Sequence, residues 1–246
     1  MEKIKVFIIN LERSKDRKKF MQEQILKLFT YNPDLKNQFE FEFFKAIDGS
    51  KNEHLQFKNH FPWCSHLIRG VKLSANENAC FASHYSLWIK CQELNKPIII
   101  LEDDIEFINL SLWRQAIQDI LHSNHKYVRF FYIKDVSAKE NQNNFYYIYG
   151  KCGGAQGYYL HPKAANKLIA KSKYFIDAVD NYMDMYYFHG VHNIAYYRFL
   201  IQSNYSLNST IHIRKSKTKI YAKITREIAQ LYFKILKYNY QRKKSI

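Results

Sequence analysis

Glycine, proline and cysteine are scarce in this chain: seven, four and four among 246 residues. None of the cysteines (Cys64, Cys80, Cys91, Cys152) belongs to a CxxC pair. They read as reduced thiols packed as small hydrophobes, the pattern of a cytosolic protein. The first ten residues, MEKIKVFIIN, hold too short an apolar run for a signal peptide, and no stretch approaches the ~18 apolar residues of a membrane span. A chain made and kept inside the cell is the expectation. The sequence contains no GxGxxG and no GxxxxGK followed by Ser or Thr, which argues against a dinucleotide site of the Rossmann type and against a P-loop ATPase. Its histidines lack HExxH spacing, which argues against a zinc site. No internal repeat or low-complexity linker interrupts the chain before its C-terminal segment.

What is present is apolar and aromatic: 47% and 17% of the residues, with 20 Tyr and 18 Phe. That is enough for a full core, and one α/β domain with an appendage is expected over two equal domains. The formal charge of +16 is unevenly spread: from Arg214 to Ile246 eleven Lys or Arg face the single acid Glu227, so +10 of the +16 lies there. On a helical wheel from Ile220 to Tyr238, Lys223, Arg226, Glu227, Gln230, Lys234 and Lys237 fall on one side. Ile224, Ile228, Leu231, Tyr232 and Ile235 fall on the other. A basic amphipathic helix reads as a binder of an anionic membrane surface. Nucleic acid is not expected as the partner, because no such motif is present and an apolar face has no use on phosphate. Residues 214–246 are thus expected to be a separable tail, with docking of the apolar face on the domain as the alternative.

Along the rest of the chain, KIKVFIINL reads as a first strand and SKDRKKFMQEQILKLF as a helix with Ser14 at its N-cap. FEFFKAIDGS reads as a second strand ending in an Asp-Gly turn. Residues 51–73 read as a loop-rich insertion. A helix from about Ala75 to Leu94 opens on the capping box Ser74/Glu77 and leads into a strand at 97–101. Further strands are expected at about 127–133, 145–150, 155–160 and 194–200, with helices from Pro162 and around 178–189. This alternation indicates a mostly parallel sheet covered by helices on its faces.

In such sheets ligands bind beyond the carboxyl ends of the strands. Glu102, Asp103 and Asp104 follow the apolar run Ile98–Leu101 at such an end. Three adjacent acids repel one another, and a divalent cation with oxygen ligands is the economical compensation. Asn10, Leu11 and Arg13 lie at the same rim, and Arg13 and Arg17 carry the forked donors that suit phosphate. Ser83 and His84 sit in the stripe of the helix leading to that strand; a core histidine and a site histidine are both compatible with the position. Gly153, Gly154 and Gly157 cluster ahead of a Tyr-rich strand, at a bulge or where a ligand approaches the backbone. Asp177, Asp180 and Asp184 share one helical face, solvated or placed for base catalysis. His212 is a candidate to reach the metal from the C-terminal side.

Four stretches, VFIINLERSKDR, NACFASHYSLW, IIILEDDI and GGAQGYYLHPKAA followed by AVDNYMD, resemble glycosyltransferase family 25, the bacterial lipooligosaccharide galactosyltransferase family. They occur in the family's order and cover most of residues 4–185. The resemblance implies a GT-A-like, single Rossmann-type catalytic domain (residues 1–213), a nucleotide-sugar donor, a divalent metal (Mn²⁺ or Mg²⁺) and inversion at the anomeric carbon. Glu102 and Asp104 match the outer positions of the family's DxD-like element, as metal ligands. Asp180 matches its later acidic position, with Asp184 beside it as a catalytic candidate. Asn10, Leu11, Arg13, Arg17, Ser83, His84, Asp103, Gly154 and Gly157 form the expected donor-binding set. Ala155-Gln156 stands where the family often has Thr-Ala, a departure that bears on donor or acceptor contacts.

The function implied is transfer of galactose from UDP-galactose to a lipid-linked lipooligosaccharide or LPS core acceptor. The protein would act peripherally at the inner face of the cytoplasmic membrane. UDP-glucose or UDP-GlcNAc are the alternative donors. A metal-dependent phosphoesterase and a non-catalytic basic membrane-binding protein are the readings from other classes.

Overall fold

The computed structural model describes residues 2–134, 139–204 and 220–242. Its strands are β1 (Ile4–Asn10), β2 (Phe39–Lys45), β3 (Ile98–Glu102), β4 (Ile105–Phe107), β5 (Tyr127–Arg129), β6 (Lys139–Gln142), β7 (Phe145–Ile148), β8 (Gly157–Leu160), β9 (Ile194–Tyr196) and β10 (Ile201–Ser203). The helices are α1 (Lys15–Tyr31), α2 (Pro62–Arg69), α3 (Ala75–Leu94), α4 (Trp113–His122), α5 (Pro162–Lys171), α6 (Val179–Met183), α7 (Tyr186–His189) and α8 (Ile220–Arg242).

Two-residue alternation sorts the central strands between two apolar layers. Val6 and Ile8 of β1 join Ile99 and Leu101 of β3 on one side, where Met21 and Leu28 of α1 and Trp113, Ile117 and Ile120 of α4 cover them. Phe7, Ile98 and Ile100 face the other side, against Phe81, Leu87 and Trp88 of α3 and Ala164, Ala165 and Leu168 of α5. All these side chains are buried, each large one contributing about 1.5–3 kcal/mol by leaving water. The result is a three-layer α/β sandwich.

Among the described residues the main sheet has eight strands in the order β2-β1-β3-β8-β5-β9-β7-β6. β1 is parallel to both β2 and β3, and β5 is parallel to β9, while β8 and β7 run antiparallel to their neighbours. Six strands therefore point one way, which matches the expected mostly parallel sheet. β4 and β10 form a separate antiparallel ribbon. The β1/β3 register sets Ile9 opposite Glu102, so both strands end at one rim and deliver their following loops side by side.

Several elements differ from the sequence reading. The insertion at 51–73 contains α2, started by Pro62 and stopped by Gly70 at positive φ. The span from Glu102 to Tyr127, for which the sequence reading gives no element, holds β4 and α4. The expected helix at 178–189 is two short ones, α6 and α7, broken at Asp184–Met185. The strand expected near 194–200 divides into β9 and β10, serving different sheets. Ser14 occupies the N-cap of α1 but its side chain makes no capping bond, whereas the Ser74/Glu77 box on α3 is complete in both directions. Gly49, in the Asp-Gly turn, touches the start of α3 so closely that a Cβ would lie 2.8 Å from the Ala75 carbonyl.

α8 lies on the domain with one face. Ala222 is fully buried, and Phe233 packs edge-on against Tyr187 and Phe188 of α7. Tyr221 and Tyr240 bond His66 of α2 and His192. The apolar residues singled out in the sequence, Ile224, Ile228, Leu231, Tyr232 and Ile235, lie on another face and are exposed. The helix has two apolar faces, and the one that docks is not the one the wheel picks out.

Candidate active site

Glu102 closes β3, its N–H donating to the Gln156 carbonyl at 2.8 Å. The chain then turns through Asp103 and Asp104 into β4. Asp103 is buried and accepts from Asn10 Nδ2 (2.7 Å) and Arg17 Nη1 (2.8 Å). Arg17 also reaches Asp104 Oδ2 at 3.4 Å. The compensation that the sequence reading gives to a cation alone is therefore shared with α1: Arg17 enters from its first turn and neutralises part of the cluster. Arg13 pairs with Asp48, which also caps the turn at Gly49–Lys51 through Ser50. Both guanidiniums expected to greet phosphate are engaged by carboxylates in this state.

Burial pushes the Asp103 carboxyl up, while Arg17 and Asn10 pull it back. Burial and then Glu102 push Asp104 further, from 3.8 to about 7, with Arg17 opposing. Asp104 Oδ1 is buried without a hydrogen-bond partner among the described residues. A charged, under-satisfied oxygen next to a second carboxylate fits a divalent cation with oxygen donors, so Glu102 and Asp104 suit the Mn²⁺ or Mg²⁺ that the motif implies.

α3 forms the adjoining wall. His84 is buried between Tyr158 and Glu102: Nδ1 lies 2.9 Å from the Tyr158 hydroxyl and Nε2 lies 3.3 Å from Glu102 Oε1. Trp88 Nε1–H donates to the same hydroxyl at 2.9 Å. The Ser83 hydroxyl accepts from the Ile47 N–H and donates to the Ala79 carbonyl, both at 2.9 Å. It pins the loop after β2 to α3 and has little left for a ligand. One turn before His84, burial first and then Glu102, Asp180 and Asp104 hold the Cys80 thiol well above its ordinary range.

The third wall is the glycine loop before β8. Gly153 and Gly154 adopt φ of +65° and +85°, a region that favours glycine. Arg129 of β5 holds this loop from beneath, donating to the Gly153 carbonyl at 2.8 Å and to the Gly154 carbonyl. Its other arm donates to Asp184 Oδ1 at 2.9 Å, and Asp184 Oδ2 accepts the Gly153 N–H at 2.9 Å. Asp184 is 3% exposed and turned into this clamp, so its expected catalytic placement does not hold. Gly157 is likewise displaced from the expected donor set. It sits inside β8, where a Cβ would strike Ile201 and come within 2.8 Å of Leu101, so it is a packing glycine.

The shared helical face of Asp177, Asp180 and Asp184 also dissolves, because α6 is only five residues long. Asp177 precedes α6 and pairs with Arg69 Nε at 3.0 Å, Asp184 caps its C-terminus, and Asp180 alone turns to the cleft.

These walls enclose a cleft of about 480 Å³ lined by Leu11, Arg13, Arg17, Ser83, His84, Glu102, Asp103, Asp104, Gly154 and Asp180. Asn10 stands behind it, holding Asp103. His212 lies outside the described residues. Arg69, Cys80, Gln156 and Asn181 also line the cleft, and Arg129 supports it. Two of these carried a sequence signal: Cys80 is four residues before His84, and Arg129 interrupts the apolar run YVRFFY.

The sequence profile of glycosyltransferase family 25, described as LPS biosynthesis proteins, matches residues 3–183. A lipooligosaccharide biosynthesis protein of Haemophilus influenzae is 32% identical over 100 residues, covering 40% of this chain and 33% of the relative. Procollagen galactosyltransferase 1-B of Xenopus laevis is 28% identical over 122 residues (48% and 18%). Human procollagen galactosyltransferase 2 is 31% identical over 108 residues (42% and 16%). The matches thus span a third or less of these relatives.

Proposed function

Because the chain belongs to glycosyltransferase family 25, we propose that its cleft transfers a hexose from a nucleotide sugar, galactose from UDP-galactose in the first instance. The acceptor is a lipid-linked oligosaccharide of the lipooligosaccharide or LPS core. The observation that carries this reading is the division of acids in the cleft. Glu102 and Asp104 stand together at the end of β3, and Asp180 faces the same space from α6. Two of the relatives are named galactosyltransferases and one a lipooligosaccharide biosynthesis protein.

Transfer with inversion needs one carboxylate to take the proton of the acceptor hydroxyl as that oxygen attacks the anomeric carbon. Asp180 has that role. Its Oδ1 accepts the neighbouring Asn181 N–H at 2.8 Å, which orients the carboxylate. Glu102 and Asp104 would hold Mn²⁺ or Mg²⁺, which when bound supplies Lewis-acid neutralisation of charge on a departing diphosphate. Asn10 and Arg17 keep Asp103 in place beside them. Gly154 lets the donor approach backbone without a side chain between, and Arg129 with Asp184 keeps that loop in position. The arrangement of sheet and cleft supports a GT-A-like reading of the fold.

The protein works at the inner face of the cytoplasmic membrane in this reading. Among the described residues no helix is long and apolar enough to cross a membrane. α8 instead offers exposed Ile224, Ile228, Leu231 and Ile235 within a segment of net charge +10, the combination that binds an anionic leaflet.

Incubating the purified chain with Mn²⁺ and UDP-galactose, UDP-glucose or UDP-GlcNAc, with and without a lipooligosaccharide acceptor, tests the proposal. Acceptor-stimulated UDP release, greatest with UDP-galactose, is expected. Release of UMP and sugar 1-phosphate without an acceptor requirement would point to a phosphoesterase, and no turnover of any nucleotide sugar would refute the reading.

A further inference from the structure

We propose that Cys80, His84 and Glu102 form a binding site for a borderline transition-metal cation of the zinc or cobalt class, on the wall of the cleft. Two of the donors come from one face of α3, four residues apart, and the third from the end of β3. Their ligand atoms all lie within 4.8 Å of one another, the one such group of three among the described residues. Bond lengths of about 2.0–2.3 Å in a tetrahedral site give ligand–ligand edges of about 3.3–3.6 Å. His84 Nε2 and Glu102 Oε1 already stand at such an edge, 3.3 Å apart. Cys80 Sγ, within 4.8 Å of both, has at most about 1.2 Å to travel to an edge of about 3.6 Å.

The surroundings are those of a supported ligand. A metal-bound imidazole is oriented by a hydrogen bond from its second nitrogen, and His84 Nδ1 lies 2.9 Å from the Tyr158 hydroxyl. That hydroxyl is itself fixed by Trp88. With a cation on Nε2, Nδ1–H donates to the Tyr158 oxygen. The Cys80 thiol binds as thiolate, releasing one proton to solvent. All three residues line the cleft, so a fourth coordination position opens onto it, as in sites with three protein ligands.

Sulfur, nitrogen and oxygen together favour zinc or cobalt over magnesium or calcium, and so distinguish this set from the all-oxygen pair Glu102/Asp104. Glu102 is common to both. A zinc ion here therefore displaces Glu102 from a hard cation and acts as an antagonist of Mn²⁺- or Mg²⁺-supported chemistry. The absence of a sequential zinc motif is no obstacle, since the fold supplies the third ligand.

The test is independent of sugar transfer. The chelator-treated full chain is titrated with Co²⁺ and its absorption followed. A thiolate-to-cobalt charge-transfer band in the near ultraviolet, saturating at one equivalent and abolished by Zn²⁺, is expected. It should vanish in Cys80→Ser that keeps the wild-type circular dichroism. As a measurement needing no variant, Zn²⁺ should slow alkylation of Cys80 in the wild-type chain about tenfold or more, mapped by mass spectrometry, and leave Cys64 unprotected. A wild-type chain with no thiolate band, a band that persists in Cys80→Ser, or Cys80 alkylated equally fast with Zn²⁺ overturns the proposal.

Discussion

Burial and the neighbouring Glu102 raise the Asp104 carboxyl from 3.8 to about 7. An acid whose folded pKa is raised favours the fold in its protonated form. Its contribution is fully present below the unfolded value and is lost as pH climbs through about 7. The chelated protein should therefore lose thermal stability between pH 4 and pH 8 through Asp104, and Asp104→Asn should flatten that part of the profile. The same variant should melt higher than wild type in chelator at pH 8 while losing transfer. Equal melting temperatures for the two proteins at pH 8 would mean that Asp104 is not strained. From sequence, the acids at 102–104 require a compensating charge, and Arg17 supplies part of it. What sequence could not give was that Arg17, a turn into α1 and 86 residues from Asp103, would meet part of it, since that contact depends on the β1/β3 register.

The loop Gly153–Gly154 is held as an element by the buried Arg129–Asp184 pair, each side chain 1% exposed. Removing one partner of such a pair strands the other charge and costs about 3–5 kcal/mol. Asp184→Ala should thus lower global stability in chemical denaturation by that order. Asp180→Ala, at the half-buried cleft position, should change it little. If Asp184→Ala folded as stably as wild type, the clamp would be wrong. The glycine cluster was legible in the sequence as a place of close approach, but its three members have two different reasons. Gly153 and Gly154 take positive φ, and Gly157 makes room for Ile201 and Leu101. The acids at 177, 180 and 184 share one helical face only on an unbroken helix. With α6 ending at Met183, each acid takes a separate direction, toward Arg69, the cleft and Arg129 respectively.

For the molecule as a whole, α8 is a plate with two apolar faces. Its docked face predicts that Phe233→Ala lowers the melting temperature, by about 2–4 °C for each kcal/mol of packing lost. Its exposed face predicts that serine at Ile224, Ile228, Leu231 and Ile235 together leaves the melting temperature unchanged. The same four changes should abolish sedimentation with anionic vesicles. Wild-type binding should weaken with salt, because exposed charges are screened beyond ~8–10 Å near physiological ionic strength. Unaltered vesicle binding by the four-serine variant would remove the membrane role of that face. Truncation from Lys215 is a poorer test than the sequence suggests, since it also uncovers the surfaces of α2 and α7 that α8 covers.

The central claim is that Asp180 serves as the base of a sugar transfer in this cleft, and the most direct test is turnover and UDP affinity of Asp180→Asn measured on the same preparation. The account predicts kcat lowered by about 10²–10⁴-fold with UDP affinity close to wild type. Wild-type turnover, or a collapse of UDP binding in place of turnover, would contradict it.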